Sequence, residues 1–372
     1  MNTKEIGYRP TWAEINLGDL AHNFRQIKKL LAMETKVMAC VKADAYGHGL
    51  IAVARALVSC GVDHFGVASI DEGIAIRKNN IRKPILVMGA VLRKDILPLF
   101  TYGLTPTVCS LQLARALNGL ARKKRRVMDI HIKVDTGMGR LGVLASDALP
   151  FIQEVQRSRF LRIAGVFTHF PCADTDRDFT LAQIDIFKKL ITDLRHRGIR
   201  IPLAHAANSM GLIAYKESHF DMVRPGLAIY GLYPKAGLKV DLKPVLSLKT
   251  QVTYLKKVPS GYGISYGRTY VARKDTTIAT LPIGYGDGYP RILSGRAPVL
   301  IRGRRLRIES RICMDQMMTD VANIGVKVGD EAVLIGSQGK NKITAQDLAR
   351  LSKTISYEIV CGLGSRIPRV YK

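Results

Sequence analysis

The chain has 372 residues, 47% of them hydrophobic and 23% charged, with a formal net charge of +27. This length exceeds what one hydrophobic core fills, so a large domain plus a smaller one is expected. No apolar run approaches the roughly 20 residues of a membrane-spanning helix. The N-terminal MNTKEIGYRPTWAEINL has neither an apolar core nor a small-residue cleavage site, which argues against a secretion signal. A cytoplasmic protein with no membrane partner is expected.

From Thr11 to about Pro234, short apolar runs alternate with longer amphipathic stretches. The strand-like runs are KVMACVKA, DHFGVAS, KPILVMG, LTPTV, VMDIHIKVD, LRIAGVFTHF, IPLAHAAN and FDMVRPG. All but the last are followed by a plausible helix, such as LIAVARALVSCG or LAQIDIFKKLITDLRHRG. Eight parallel strands alternating with helices predict a TIM-type (β/α)8 barrel, whose active site sits at the C-terminal ends of the strands. Near Pro244 the rhythm changes to short β-branched runs split by Gly-rich turns, with one helical pattern in ITAQDLARLSKT. The expected division is a barrel over residues 11–240 and a smaller, mostly β domain over 241–372, with residues 1–10 free to pack against the latter. TWAEINL precedes the barrel alternation; it could pack with the second domain, though sequence alone does not place it.

Cys40, Cys60, Cys109, Cys172, Cys313 and Cys361 show no C-x-x-C spacing and are expected to be reduced, forming neither a disulfide framework nor a zinc site. His48, His131 and His205 likewise form no metal-ligand constellation by spacing, and no metal is assigned. A charge of +27 attracts polyanions and anionic small molecules. The densest basic run, RKKRR at Arg122–Arg126, falls between a helix and a strand, in a surface turn. With no nucleic-acid motif and no interleaved aromatics, a solvated basic surface is expected, without a specific nucleic-acid partner.

One residue stands out chemically. VMACVKADAYGHG delivers Lys42 to the C-terminal end of a buried strand, with a Gly-rich turn following at once. A partly desolvated lysine at a barrel rim is a nucleophile suited to holding a carbonyl cofactor. An isolated strand-end lysine reaching solvent is the bland alternative, and the neighbourhood decides between them.

VKADAYGHG closely resembles the cofactor-attachment motif of the alanine racemase family. The resemblance continues in order through KVDTGMGRLG (Lys133 to Gly142), THF and CAD (Thr168 to Asp174), AANS (Ala206 to Ser209) and VRPGLAIYG (Val223 to Gly231). It extends over GYGISYGRTY, LPIGYGDGYPR, RICMDQ and ISYEIVCG in the second domain. It implies a barrel binding pyridoxal 5'-phosphate (PLP), followed by a β-rich domain, in an isomerase that interconverts L- and D-alanine and supplies D-alanine for peptidoglycan.

Carried over by position, the resemblance implies that Lys42 holds PLP covalently and serves as the base for D-alanine, with Tyr266 as the base for L-alanine. Racemisation requires two such groups on opposite faces of a planar centre. A phenol is a poor base at neutral pH, and the resemblance supplies a hydrogen-bonded line through His169 and Arg224. Arg224 would face the pyridine nitrogen without surrendering its proton, narrowing the reaction repertoire. Backbone N–H groups of Gly226 and Leu227, with Ser209, Tyr46 and Tyr357, would hold the phosphate, and Asn208 would cap a helix or touch the cofactor. Arg140 would contact the cofactor's phenolic oxygen and the substrate carboxylate, which also meets the Met314 N–H. Lys133 matches a position that some members carry as a carbamylated lysine. The implied assembly is a homodimer, with Tyr266 reaching the partner's site. A racemase of the same fold with broader specificity, acting for example on serine, is the alternative. A decarboxylase of this barrel type fits Arg224 poorly, and noncatalytic PLP-binding barrels lack the second domain.

Overall fold

A computed structural model of the chain describes residues 8–322 and 324–372. All eight strand patterns become strands: β1 (Lys36–Cys40), β2 (His64–Val67), β3 (Ile85–Val87), β4 (Thr105–Val108), β5 (Met128–Asp135), β6 (Leu161–Phe167), β7 (Ala204–His205) and β8 (Met222–Val223). Neighbours from β1 to β7 pair in parallel, and β8 pairs in parallel with β1. Between β7 and β8, the Asp221 N–H donates to the Ala204 carbonyl at 3.0 Å and the Arg224 N–H to the Ala207 carbonyl at 2.9 Å, which nearly closes the ring. Closure explains the apolar runs: Val37 to Cys40 of β1 are all buried, because helices cover one face and the barrel interior the other.

The helices follow from amphipathic spacing with explicit start signals. Leu111–Lys123 buries Leu113, Ala114, Leu117 and Ala121 on one stripe, and its N-cap Ser110 accepts the Leu113 N–H. Ile70–Lys78 begins in a capping box between Ser69 and Glu72. Met38, Leu86, Phe167, Leu203 and Met222 pack into one cluster, joining β1, β3, β6 and β8 with the residue just before β7.

Thr11–Ile15, which sequence alone does not place, pairs antiparallel with Leu246–Gln251 and parallel with Arg369–Tyr371. The physical reason lies in its side chains. Trp12, Ala13 and Ile15 are buried in that sheet, and the Thr11 hydroxyl lies 2.8 Å from that of Thr250 and donates to the Pro282 carbonyl. The chain accordingly forms two compact units. One comprises Leu20–Ala45 and Leu50–Lys243; the other comprises Met1–Asp19, so far as described, with Tyr46–Gly49 and Pro244–Lys372. Of residues 1–10, the first seven lie outside the described residues. The Pro10 carbonyl accepts from Gln251 N–H and the Thr250 hydroxyl, and Arg9 pairs with Asp287.

In the second unit the main sheet runs Arg304–Arg307, Pro298–Ile301, Glu331–Gln338, Leu246–Gln251, Thr11–Ile15, Arg369–Tyr371. A smaller antiparallel sheet holds Tyr254–Val258, Thr276–Leu281 and Met317–Asp320, and ITAQDLARLSKT supplies the helix Ala345–Ser352.

Candidate active site

Lys42 follows β1 immediately and opens an unusual turn. From Ala43 to Gly47 the φ angles are +53°, +53°, +54°, +56° and +78°, so the helical turn that Lys42 opens is left-handed from Ala43 onward. Four of those residues carry a Cβ, and each such residue costs about 1–2 kcal/mol relative to a right-handed turn. Compensation comes from hydrogen bonds: Ala45 N–H to the Val41 carbonyl at 2.9 Å, Ala43 N–H to Glu72 Oε1 at 2.7 Å, and Leu50 N–H to Asp44 Oδ1 at 2.7 Å. Glycine is required where the turn ends. A Cβ on Gly47 would lie 2.2 Å from the Val360 carbonyl oxygen, and one on Gly49 would lie 1.9 Å from the Tyr371 hydroxyl.

Around this strand end, in the barrel unit, the structure gathers cations. The Lys133 amine is buried at the end of β5, and burial, then Arg224 and Arg140, push its pKa well below the usual lysine range against the opposing charge of Asp135. His169 is likewise held far below the ordinary imidazole value by burial and then by Arg224, Lys133, Arg140 and Lys42. Lys133 and Arg224 lie over one ring: Lys133 Nζ is 4.7 Å and Arg224 Cζ 5.3 Å from the Phe167 centroid. Arg140 itself is exposed on a loop whose backbone is fixed by Asp135, which accepts the N–H groups of Gly137, Met138 and Gly139 at 2.8–2.9 Å.

Arg224 is 4% exposed just beyond β8, and burial lowers its pKa to about 10, leaving it charged at neutral pH. One terminal nitrogen donates to the Thr168 and Ala206 carbonyls at 2.7 and 2.9 Å; the other lies 2.9 Å from His205 Nδ1. A guanidinium only donates, so His205 must accept at Nδ1 and carry its proton at Nε2. Nε2 in turn lies 2.8 Å from His131 Nδ1 and donates to it, which leaves His131 neutral with its proton on Nε2. Burial drives both imidazoles down, His131 to about 3. Phe167 stacks on His205 with centroids 4.8 Å apart, and its ring also lies 4.7 Å from Lys133 Nζ.

Ser209 and the turn after β8 form a second feature of this unit. The buried Ser209 hydroxyl accepts the N–H groups of Gly226 at 3.0 Å and Ala228 at 3.2 Å, which fixes the backbone around Gly226 and Leu227. Asn208 takes the capping role: its Oδ1 accepts the Gly211 N–H at 2.9 Å.

The remaining sequence-derived residues belong to the other unit. Tyr46 is buried, with its ring centroid 5.9 Å from that of Tyr357. Tyr266 is 68% exposed and Met314 53% exposed, and their loops are joined, because the Ser265 hydroxyl donates to the Arg311 carbonyl at 2.8 Å. Sequence reasoning missed the residues that set this loop pair. Asp287 is fully buried, pairs bidentately with Arg9 at 2.5 and 2.6 Å, lies 3.4 Å from Arg366, and accepts the Gly284 N–H. The turn it stabilises donates Tyr285 and Gly286 N–H groups to the Cys313 and Met314 carbonyls. In the barrel unit, Glu72 and Tyr230 were also missed; the Tyr230 hydroxyl donates to the Cys40 carbonyl at 2.9 Å.

Comparison with known proteins identifies the family. Residues 15–234 match the family model for the alanine racemase N-terminal domain, and residues 245–371 match the C-terminal domain model. An alanine racemase of Halothermothrix orenii is 50% identical over 368 residues, covering 98% of this chain and 97% of that protein. The solved alanine racemase of Clostridium difficile superposes with a TM-score of 0.93 at 37% identity, covering 98% of this chain and 96% of that one. That of Bacillus anthracis, with bound L-Ala-P, gives 0.92 at 34% identity, covering 97% and 95%. The chain belongs to the alanine racemase family of isomerases.

Proposed function

We propose that the chain racemises alanine with PLP held on Lys42, using Lys42 and Tyr266 as bases on opposite faces of the substrate. The observation that carries this reading is Lys42 at the C-terminal end of β1, on the same barrel rim as the buried Lys133 and Arg224, which lie 4.7 and 5.3 Å from the Phe167 ring. Such a field suits an anionic, phosphate-bearing aldehyde. The phosphate would rest against the backbone fixed by Ser209 at Gly226 and Leu227. Tyr46, Tyr357 and Asn208 complete the proposed set of cofactor contacts.

PLP, when bound, supplies an electron sink for the charge left at the substrate's α-carbon. Lys42 takes or returns the α-proton on the D face through Nζ, and Tyr266 does so on the L face through its phenolic oxygen. Arg224, held as a donor by His205, Thr168 and Ala206, would face the ring nitrogen without surrendering its own proton. Arg140 and the Met314 N–H orient the substrate carboxylate. The exposure of Tyr266 and Met314 on the second unit supports a homodimer in which they complete the partner's site. Supply of D-alanine for peptidoglycan is the proposed role.

The test is α-hydrogen exchange in deuterated water, with chiral analysis of the products. The parent protein should exchange and interconvert both alanine enantiomers, and turn over L-serine far more slowly. Tyr266→Phe should lose exchange from L-alanine while keeping exchange from D-alanine. Undiminished exchange from L-alanine would remove Tyr266 from the mechanism.

A further inference from the structure

In a parallel barrel every helix-to-strand connector lies at one end, opposite the loops that carry active-site residues. Five of the eight connectors, residues 29–35, 79–84, 124–127, 157–160 and 197–203, contain ten lysines and arginines against one carboxylate, Glu34, and the element ends that flank them add Lys28, Lys36, Lys78, Arg122, Lys123, Arg162 and Arg195 against Asp129. The other three add Lys216 against Asp63, Glu217 and Asp221. At the opposite end, the strand-to-helix loops are almost balanced, with five basic residues against four acidic ones. Within the barrel unit the basic excess is therefore concentrated on the end remote from Lys42.

The densest part is contiguous. The connectors entering β5, β6 and β7 lie side by side in the ring, and Arg122 to Arg126 are all exposed, as are Arg157, Arg159 and Arg162, and Arg195, Arg197 and Arg200. Ion pairs occupy Arg157 with Glu154 and Arg162 with Asp129, and among the described residues the rest of this patch has no ion pair. An apolar side chain stands in this patch, Val127 at 52% exposed, and a second, Met33 at 97% exposed, lies elsewhere on the same end, in the connector entering β1.

We infer that this end of the barrel docks the protein on an anionic lipid bilayer, with the active-site end facing away. The face is a blunt end of short connectors, with no helix or ribbon projecting to enter a nucleic-acid groove and no exposed aromatic to stack a single-stranded base. A broad basic end with exposed apolar tips matches a plane of anionic headgroups over hydrocarbon. No membrane-spanning helix is involved, since none of the described helices is long and apolar enough.

The test is flotation of the full chain with phosphatidylcholine vesicles containing increasing phosphatidylglycerol. Binding should rise with anionic lipid, vanish on pure phosphatidylcholine and reverse at high salt. The triple variant Arg122→Gln, Lys123→Gln, Lys124→Gln should lose about a hundredfold in partitioning, from roughly 1 kcal/mol for each basic residue at the surface. A control with the same charge loss on the other unit, Lys327→Gln, Lys340→Gln, Lys342→Gln, should stay within a few-fold of the parent. Thermal melting verifies that both fold. Equal losses in the two variants would mean that only net charge matters, and equal binding to neutral vesicles would remove the electrostatic basis; either overturns the inference. Complete displacement by duplex RNA at equal phosphate concentration would overturn it in favour of a nucleic-acid partner.

Discussion

The relay Arg224–His205–His131 predicts that two buried imidazoles stay neutral well into the acid range. Arg224 can only donate, so protonating His205 at Nδ1 would set two donors against each other, and protonating His131 at Nδ1 would do the same one step further along. Burial opposes the charge as well, and His131 falls from an ordinary value of 6.5 to about 3. The unfolded chain takes up this proton first as pH drops. Stability from His131 is therefore complete above about pH 6.5 and is lost progressively toward pH 3. At pH 5 the loss from His131 is about 2 kcal/mol, and over the full window about 5 kcal/mol, at roughly 1.4 kcal/mol per pH unit. The direct assay is nitrogen-15 NMR of labelled histidine between pH 7.5 and 5, with His131→Gln identifying one signal. Both rings should keep an acceptor Nδ1 and a protonated Nε2 throughout. Titration of either ring near pH 6.5 would refute the relay and the fixed donor role it gives Arg224.

Three further outcomes test the site. Glu72→Ala removes the acceptor for the Ala43, Ala68 and Ser69 N–H groups, and should lower kcat about 10- to 100-fold through displacement of Lys42; Glu72→Gln should recover part of it, and an unchanged kcat in the alanine variant would show that the left-handed turn holds without it. Arg224→Glu should slow racemisation and raise transamination, read as pyruvate formed per racemisation event; an unchanged ratio would mean that Arg224 does not face the ring. Mixing Lys42→Ala with Tyr266→Phe subunits under exchange should restore activity at roughly a quarter of all sites, because each mixed dimer holds one site with both bases; a mixture as inactive as its parents, with exchange demonstrated, would contradict the shared site.

The barrel was legible because its strands are buried on both faces and its helices on one, two patterns that a sequence displays directly. Thr11–Ile15 was not, because TWAEI carries the same signal whichever sheet it joins; its partner, Leu246–Gln251, lies more than two hundred residues away. Lys42 was readable as a strand-end lysine, but the left-handed turn behind it was not, since Ala43, Asp44, Ala45 and Tyr46 have no local reason to adopt positive φ.

What sequence reasoning missed shares a physical trait. Glu72 reads as the third residue of a capping box, and it is one; yet its Oε1 also reaches the Ala43 N–H of a different strand end. Asp287 reads as a turn aspartate in GYGDGY, while its work is to anchor Arg9 and Arg366 and thereby set the Met314 loop. Groups that touch substrate are constrained in identity and stand out as motifs. Groups that hold those motifs in place act on backbone N–H and carbonyl groups, which every residue possesses, so their targets leave no mark in the sequence. Such supports become visible once the fold brings them to hydrogen-bonding distance, and for Glu72 that distance, 2.7 Å to Ala43, ties a helix start to the lysine on which the proposed chemistry depends.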